Sequence, residues 1–407
     1  MLIREMIRNV YKECKGVPKG SCLTKEQRLS LQMDEFMNRR YEFRYNTQIG
    51  EVEYRERFSF QFYFHPIDKR AQNSIMLDAQ SEGIGVWDRD IDRYLHSNRV
   101  PIYNPLEEFL FHLPHWDGKD RIHALANRVP CKNPHWELLF HRWFLNMVSH
   151  WRGVDKMHAN NTSPILVGRQ GTHKSTFCRE MIPPALRAYY TDSIDFSHKR
   201  DAELYLNRFA LINIDEFDQI TLPQQGFLKH ILQKPVVNLR KPHGRSVLEL
   251  QRYASFIGTS NQKDLLTDPS GSRRFICIEV TGNIDTTQPI DYEQLYAQAM
   301  HDLYRGERYW FNTEDENVMT ENNQEFQVMP VAEQLFHEYF RGAKEGEECE
   351  QLLAIEILQQ LQHDSKIHVS ICSIVQFGRI LQKNKIPSLH TKRGNFYKVI
   401  RIKPGRG

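Results

Sequence analysis

The chain has 407 residues, 40% hydrophobic and 26% charged, with a formal net charge of +3. This balance predicts two or three folded domains, excludes long disorder, and leaves no stretch near the roughly 20 apolar residues that a membrane span needs. The seven cysteines are scattered without a Cys-x-x-Cys pair, which excludes a zinc ribbon and favours a reducing cytosol over a disulfide framework, and charge follows Met1 too soon for a secretory signal.

Residues 1–35 read as a short basic helix and a linker, with Arg4, Arg8, Lys12 and Lys15 beside Leu2, Ile3, Ile7 and Val10. From Arg55 to Phe64 aromatic residues alternate with others. Side chains on a strand repeat every two residues, so Phe58, Phe60, Phe62 and Phe64 share one side. A strand packed on a core is the expectation here, ahead of a base-stacking platform. Residues 83–150 read as mostly helical, with breaks at 98–105 and 114–119.

Between residues 163 and 280 short apolar runs alternate with polar helical segments. The runs are Pro164-Ile165-Leu166-Val167, Ala210-Leu211-Ile212-Asn213-Ile214, Ser255-Phe256-Ile257-Gly258-Thr259 and Phe275-Ile276-Cys277-Ile278. Such runs suit strands buried on both faces of a parallel α/β sheet. Beyond residue 330 the reading is helical near 331–341, 351–363 and 373–384, followed by a turn at 392–395 and a strand at 396–402. Helix, helix, then a β-hairpin is the order of a small winged-helix domain. From residue 366 to 407 there are ten Lys or Arg and no Asp or Glu. A solvated face normally mixes signs, so the tail reads as a nucleic-acid footprint, with Lys383, Lys385, Lys392 and Arg393 as DNA-contact candidates. A merely basic surface is the alternative.

The strongest chemical signal is Gly168-Arg169-Gln170-Gly171-Thr172-His173-Lys174-Ser175-Thr176, directly after an apolar run. A phosphate-binding loop needs glycines so that backbone N–H groups can turn inward, a lysine for the β/γ-phosphates, and a hydroxyl for Mg²⁺. Here Gly168, Gly171, Thr172, His173, Lys174, Ser175 and Thr176 form the candidate nucleotide site, and ATP with Mg²⁺ is the expected cofactor pair. His173 stands where the usual motif has its second glycine. About 40 residues on, the run 211–214 ends in Asp215 and Glu216. Asp215 suits the metal, with Ser175, and Glu216 suits a base for attacking water. The run 255–260 ends in Asn261, which can orient water or touch the γ-phosphate. Arg273 and Arg274 are candidates for a finger that stabilises transition-state charge, or else for a structural ion pair.

Taken together, residues 100–280 resemble the virulence-associated protein E-like family of phage and mobile-element replication proteins. The resemblance rests also on Asn104-Pro105, Trp116-Asp117-Gly118-Lys119-Asp120-Arg121 and the block Gly258-Thr259-Ser260-Asn261…Asp268…Gly271-Ser272-Arg273-Arg274-Phe275. It implies a relative of superfamily 3 helicases, which are AAA+-like ring ATPases on DNA. Members often carry a primase-like module in front, so residues 1–99 read as its remnant or as an oligomerisation collar, with a primase as an implied partner. The resemblance also implies a pore hairpin. The runs 236–239 and 246–250 flank Arg240, Lys241, His243 and Arg245, which are expected to touch single-stranded DNA; an exposed loop is the alternative.

The expected organisation is an N-terminal region over 1–99, an ATPase/helicase domain over 100–325 and a basic winged-helix-like domain over 326–407. The expected fold is α/β, with a P-loop AAA+-like parallel-sheet core, a helical N-terminal region and a C-terminal winged-helix-like domain. The expected function is an ATP-dependent ring helicase or translocase on single-stranded DNA, a homo-oligomer of hexamer type. One rival is a nucleotide-switched initiator or loader that binds duplex origin DNA without unwinding it. The other is a binding protein whose loop is disabled by His173.

Overall fold

The computed structural model describes residues 23–60, 62–153, 157–239, 248–266, 273–365, 372–391 and 394–402. The expected basic helix within 1–22, the turn carrying Arg240, Lys241, His243 and Arg245, and Lys392 and Arg393 lie outside the described residues.

The first unit begins with α1 (Lys25–Arg40), so residues 25–35 are helix rather than linker. Thr24 and Gln27 form a capping box that satisfies two of the orphan N–H groups at its start. The N-terminal region is not purely helical as expected, because Tyr41–Asn46 and Glu51–Glu56 pair as antiparallel strands: the four-stranded sheet that follows has β1 (Tyr41–Asn46), β2 (Glu51–Glu56) and β3 (His65–Pro66). Two helices come next, α2 (Lys69–Ser81) and α3 (Asp88–Leu95), and then β4 (Ile102–Tyr103) completes the order β3-β2-β1-β4. Phe36, Met37, Tyr41, Phe43, Val52, Ile75 and Tyr94 close the core.

The aromatic alternation after Arg55 does not make a core-packed strand. The register pairs Glu56 with Tyr41, where β1 begins, so the chain beyond Glu56 has no neighbouring strand to extend. Residues 57–60 and 62–64 form an exposed connection instead, with Phe58 and Phe60 at 86% and 96% exposure. Phe64 is half-buried beneath the guanidinium groups of Arg44 and Arg55.

Three helices lead into the second unit. In α4 (Pro105–Phe111) Asn104 caps the first turn and Pro105 sits where a missing N–H costs nothing. Before α5 (Arg121–Ala126) the Trp-Asp-Gly-Lys segment folds into a turn in which Gly118 takes φ +86° and Arg121 clamps Asp117 at 2.6 and 2.8 Å. α6 (Trp136–Arg152) is buried nearly all round, with Trp136, Phe140, Trp143, Phe144 and Trp151 inside.

The central sheet is the one expected from the apolar runs. Its strands are β5 (Ser163–Val167), β6 (Tyr190–Thr191), β7 (Leu211–Ile214), β10 (Ser255–Ser260) and β11 (Phe275–Glu279). Between them come α7 (Lys174–Glu180), α8 (Lys199–Arg208), α9 (Leu222–Leu232) and the antiparallel hairpin β8 (Val236–Leu239) with β9 (Leu248–Gln251). The order across the sheet is β11-β5-β10-β7-β6, and every pairing is parallel. Two apolar clusters cover its faces, one shared with α6 and α10 (Tyr292–Tyr304), the other with α8 and α9.

After α11 (Thr313–Asn322) comes the last unit: α12 (Val331–Tyr339), β12 (Phe340–Gly342), β13 (Glu350–Leu353), α13 (Ala354–Ser365), α14 (Ile374–Lys383), β14 (Ser388–Thr391) and β15 (Gly394–Arg401). The helix expected from residue 351 starts three residues later, because Glu350–Leu353 pairs with β15. β15 also pairs with β12 and β14, all antiparallel, and its Tyr397 and Val399 enter the core with Phe336, Leu361 and Phe377. Among the described residues no helix is long and apolar enough to cross a membrane.

Candidate functional site

The register of the central sheet assembles the site. β10 lies between β5 and β7, with Gly258 opposite both Ile165 and Ile214. One step on, Thr259 stands beside Asp215; three steps on, Asn261 stands beside the loop after β5. Gly258 permits this approach, since a Cβ there would come within 2.8 Å of Ile165 Cδ1 and 3.2 Å of the Ile214 carbonyl oxygen. In open parallel sheets ligands bind outside the carboxyl ends of the strands, which is where these residues gather.

The loop after β5 is fastened at both ends. Gly168 N–H donates to the Ser260 carbonyl at 3.0 Å, and Ile284 N–H donates to the Thr172 carbonyl at 3.1 Å. Gly171 has φ +82° and His173 has φ +65°, so the histidine occupies a left-handed backbone conformation that glycine adopts without cost. The His173 side chain is exposed. Lys174 is buried, and its ammonium donates to the carbonyls of Gly168 at 2.7 Å and Arg169 at 2.8 Å, and to Asn261 Oδ1 at 3.2 Å. Burial pulls its pKa below the ordinary lysine range, while Asp215 and Asp218 act in the opposite direction.

Asp215 Oδ1 accepts from the Ser175 hydroxyl at 2.9 Å and also from the Thr259 hydroxyl. Glu216 has φ +53°, which turns the chain sharply off the strand end and leaves its carboxylate exposed over the cleft. Gln170, Gly171, Thr172, His173, Lys174, Ser175, Thr176, Asp215, Glu216, Thr259 and Asn261 line one cleft of about 300 Å³. Every residue expected from the loop, the acid pair and the asparagine lines it, except Gly168, which is half-buried at the root of the loop.

The expected arginines do not join this cleft. Both precede β11, at the amino end of the sheet, and Phe275 pairs with Ser163. Five strand residues separate that edge from the loop, roughly 16 Å at 3.3 Å per residue. Arg273 forms an ion pair with Glu316 of α11 at 3.1 Å. In the last unit Lys383 lies 3.4 Å from the buried carboxylate of Glu333, and Lys385 is exposed at φ +53°.

Two groups at the site escape the sequence reasoning. Asp218 accepts from the Ser260 hydroxyl at 2.8 Å and from Asn261 N–H at 3.3 Å, tying the acid turn to the end of β10. Its signal was a third carboxylate within Asp-Glu-Phe-Asp. Arg252 is fully buried and donates to the carbonyls of Ala254, Ile231, Leu232, Lys234 and Asn160, at 2.7–3.2 Å. Burial pushes its pKa down to about 9, still above neutral pH, so a charged guanidinium caps the end of α9 and fixes the exit of the β8–β9 hairpin. No sequence pattern marked it.

Comparison with known proteins gives three findings. No curated protein matches the chain. Among solved structures, it is similar to the apo structure of the NrS-1 C terminal region (305-718), with 13% identity and a TM-score of 0.45, covering 93% of this chain and 100% of that one. It is also similar to the A form apo structure of the NrS-1 C terminal region, with 11% identity and a TM-score of 0.41, covering 91% and 99%. Residues 329–399 match a domain of unknown function from B. Theta, DUF3874. The virulence-associated protein E-like domain matches residues 110–328, more than half of the chain and the whole of the cleft, and the chain therefore belongs to the virulence-associated protein E-like family.

Proposed function

We infer that the chain is an ATP- and Mg²⁺-dependent helicase or translocase on single-stranded DNA, acting in the replication of a phage or mobile element. The observation that carries this reading is the convergence of Lys174, Ser175, Asp215, Glu216 and Asn261 on one cleft at the carboxyl ends of three parallel strands. In this reading the P-loop is 168–175. Lys174 leaves its carbonyl partners for the β/γ-phosphates. Ser175 and Asp215, whose side chains are hydrogen-bonded at 2.9 Å, would hold the Mg²⁺. The exposed Glu216 carboxylate accepts the proton of attacking water, and Asn261 reports the γ-phosphate to β10. Bound Mg²⁺ supplies neutralisation of charge on the transferring phosphoryl group.

Arg273 and Arg274 are too far along the sheet for their own cleft, which supports a finger role across a subunit boundary and hence a ring of AAA+ type. Release of the Arg273–Glu316 pair would be part of ring assembly. The β8–β9 hairpin, rooted by Arg252 next to β10, supports the reading in which Arg240, Lys241, His243 and Arg245, in the segment joining its strands, touch single-stranded DNA. The helices α13 and α14 with the β14–β15 pair, in a unit whose residues 366–407 include ten Lys or Arg and no Asp or Glu, support a winged helix that binds duplex DNA. The test is ATP hydrolysis by the wild type with and without single-stranded DNA, together with strand displacement on a forked duplex. Stimulated hydrolysis with displacement supports the helicase. Hydrolysis without displacement favours the initiator or loader, the second reading, for which the basic C-terminal unit is the supporting observation.

A further inference from the structure

We propose that His141, Asp302 and Glu307 form a binding site for one divalent ion of the zinc class, separate from the cleft that the loop and acid pair line. His141 comes from α6, Asp302 from α10, and Glu307 from the turn after α10. One ligand atom of each lies within 4.8 Å of the others. His141 Nε2 is 3.2 Å from Asp302 Oδ2. In a tetrahedral zinc shell with bonds of about 2.0–2.2 Å, neighbouring ligand atoms sit roughly 3.3 Å apart. The histidine–aspartate pair already has that span, and the exposed Glu307 side chain closes the remainder by rotating about its own bonds.

The surroundings are arranged as an outer shell. His301 Nδ1 lies 3.2 Å from the second oxygen of Asp302 and so holds the carboxylate with Oδ2 toward His141. Glu307 N–H donates to the Asp302 carbonyl at 3.0 Å, which fixes the turn that presents Glu307. The His123 ring stacks on His141 with centroids 5.2 Å apart, and His123 is itself paired with Asp120. Among the described residues neither Asp302 nor Glu307 is ion-paired with a lysine or arginine, although Asp302 is buried. Two converging carboxylates without a fixed cation leave a charge that a bound divalent ion balances. One imidazole nitrogen and two carboxylate oxygens fit a borderline ion such as zinc better than the all-oxygen shells of Mg²⁺ or Ca²⁺. The ion would lock α6 to α10 beside Trp116, whose ring packs on His301 at 4.6 Å.

The test uses the full chain, stripped with chelator and titrated with ZnCl₂ by calorimetry, with metal content read by mass spectrometry. The expected result is one zinc per chain and a higher melting temperature on binding. Glu307→Gln, an exposed substitution that leaves the apo melting temperature unchanged, should bind at least tenfold more weakly. Asp215→Asn should keep the same zinc affinity, separating this site from the loop. Cobalt substitution should give a spectrum without a thiolate charge-transfer band, which excludes the cysteines as ligands. No stoichiometric zinc in the wild type, or equal affinity in Glu307→Gln, would overturn the proposal and leave His141–Asp302 as a hydrogen-bonded tie between two helices.

Discussion

The Lys174 ammonium lies 3.2 Å from the side-chain oxygen of Asn261, joining the loop after β5 to the end of β10. This contact competes with any anion in the cleft, since both use the same ammonium group. Once Lys174 turns to the anion, Asn261 is free to meet the γ-phosphate, so Asn261→Ala should leave nucleotide affinity within about threefold while lowering kcat about 10–100-fold, as expected when that phosphate contact tightens in the transition state. Nucleotide binding by fluorescence and steady-state hydrolysis separate the two effects. A rise in KM with unchanged kcat would assign Asn261 to binding alone.

Asp218 carries a second prediction. It accepts two hydrogen bonds from the residues that end β10; Asp218→Ala leaves the Asn261 N–H unmet, while the Ser260 hydroxyl keeps the Gln262 carbonyl at 2.7 Å. The expected cost is about 1–3 kcal/mol of stability, read by chemical denaturation. Because Asn261 N–H is one of the donors, kcat should fall as well. Full activity with reduced stability would make Asp218 purely structural.

His173 departs from the glycine of the usual loop, and its φ of +65° gives that departure a measurable cost. A left-handed non-glycine residue costs roughly 1–2 kcal/mol. His173→Gly should relieve that strain, keep or slightly raise the melting temperature, and increase the hydrolysis rate several-fold. An unchanged rate would show that the exposed ring already stands clear of the phosphates. Hydrolysis by neither protein, with nucleotide still bound, would favour the rival in which nucleotide serves assembly only.

Much of the site was legible because its residues fall at strand ends, and strand ends in a parallel sheet share one edge. Apolar runs of four to six residues located β5, β7, β10 and β11, and the residues just after the first three named the loop, Asp215 and Asn261. The two-residue edge strand β6 was invisible, being too short for any period. Phe58 and Phe60 misled because alternation marks a strand only where a neighbouring strand exists, and pairing stops at Glu56. Arg252 was illegible for another reason. Its five partners are backbone carbonyls from α9 and the turn after it, the residue before β10 and the approach to β5, so no side-chain pattern records them.

The C-terminal unit constrains how its DNA binding is probed. Removing everything from Lys366 would delete Phe377, Tyr397 and Val399 from the core and unfold the unit. Charge neutralisation is the cleaner test. Lys385→Gln with Lys392→Gln and Arg393→Gln should weaken duplex binding and reduce the slope of log affinity against log salt by up to about 3, roughly 0.9 per lost phosphate contact. Basal hydrolysis should be unchanged, since the described lining of the cleft comes from residues 170–261. An unaltered salt slope would make these cations a solvated surface.

The central claim is that Lys174, Asp215 and Glu216 form a working ATPase whose turnover responds to single-stranded DNA. Its most direct test is steady-state ATP hydrolysis by the wild type, Lys174→Ala and Glu216→Gln, each with and without single-stranded DNA, with nucleotide binding measured in parallel. The account predicts DNA-stimulated hydrolysis in the wild type. It predicts loss of at least about 100-fold in both variants, on the scale of removing a key electrostatic or proton-transfer group, with ATP still bound by Glu216→Gln. Wild-type hydrolysis that survives in Lys174→Ala, or normal turnover in Glu216→Gln, would contradict it.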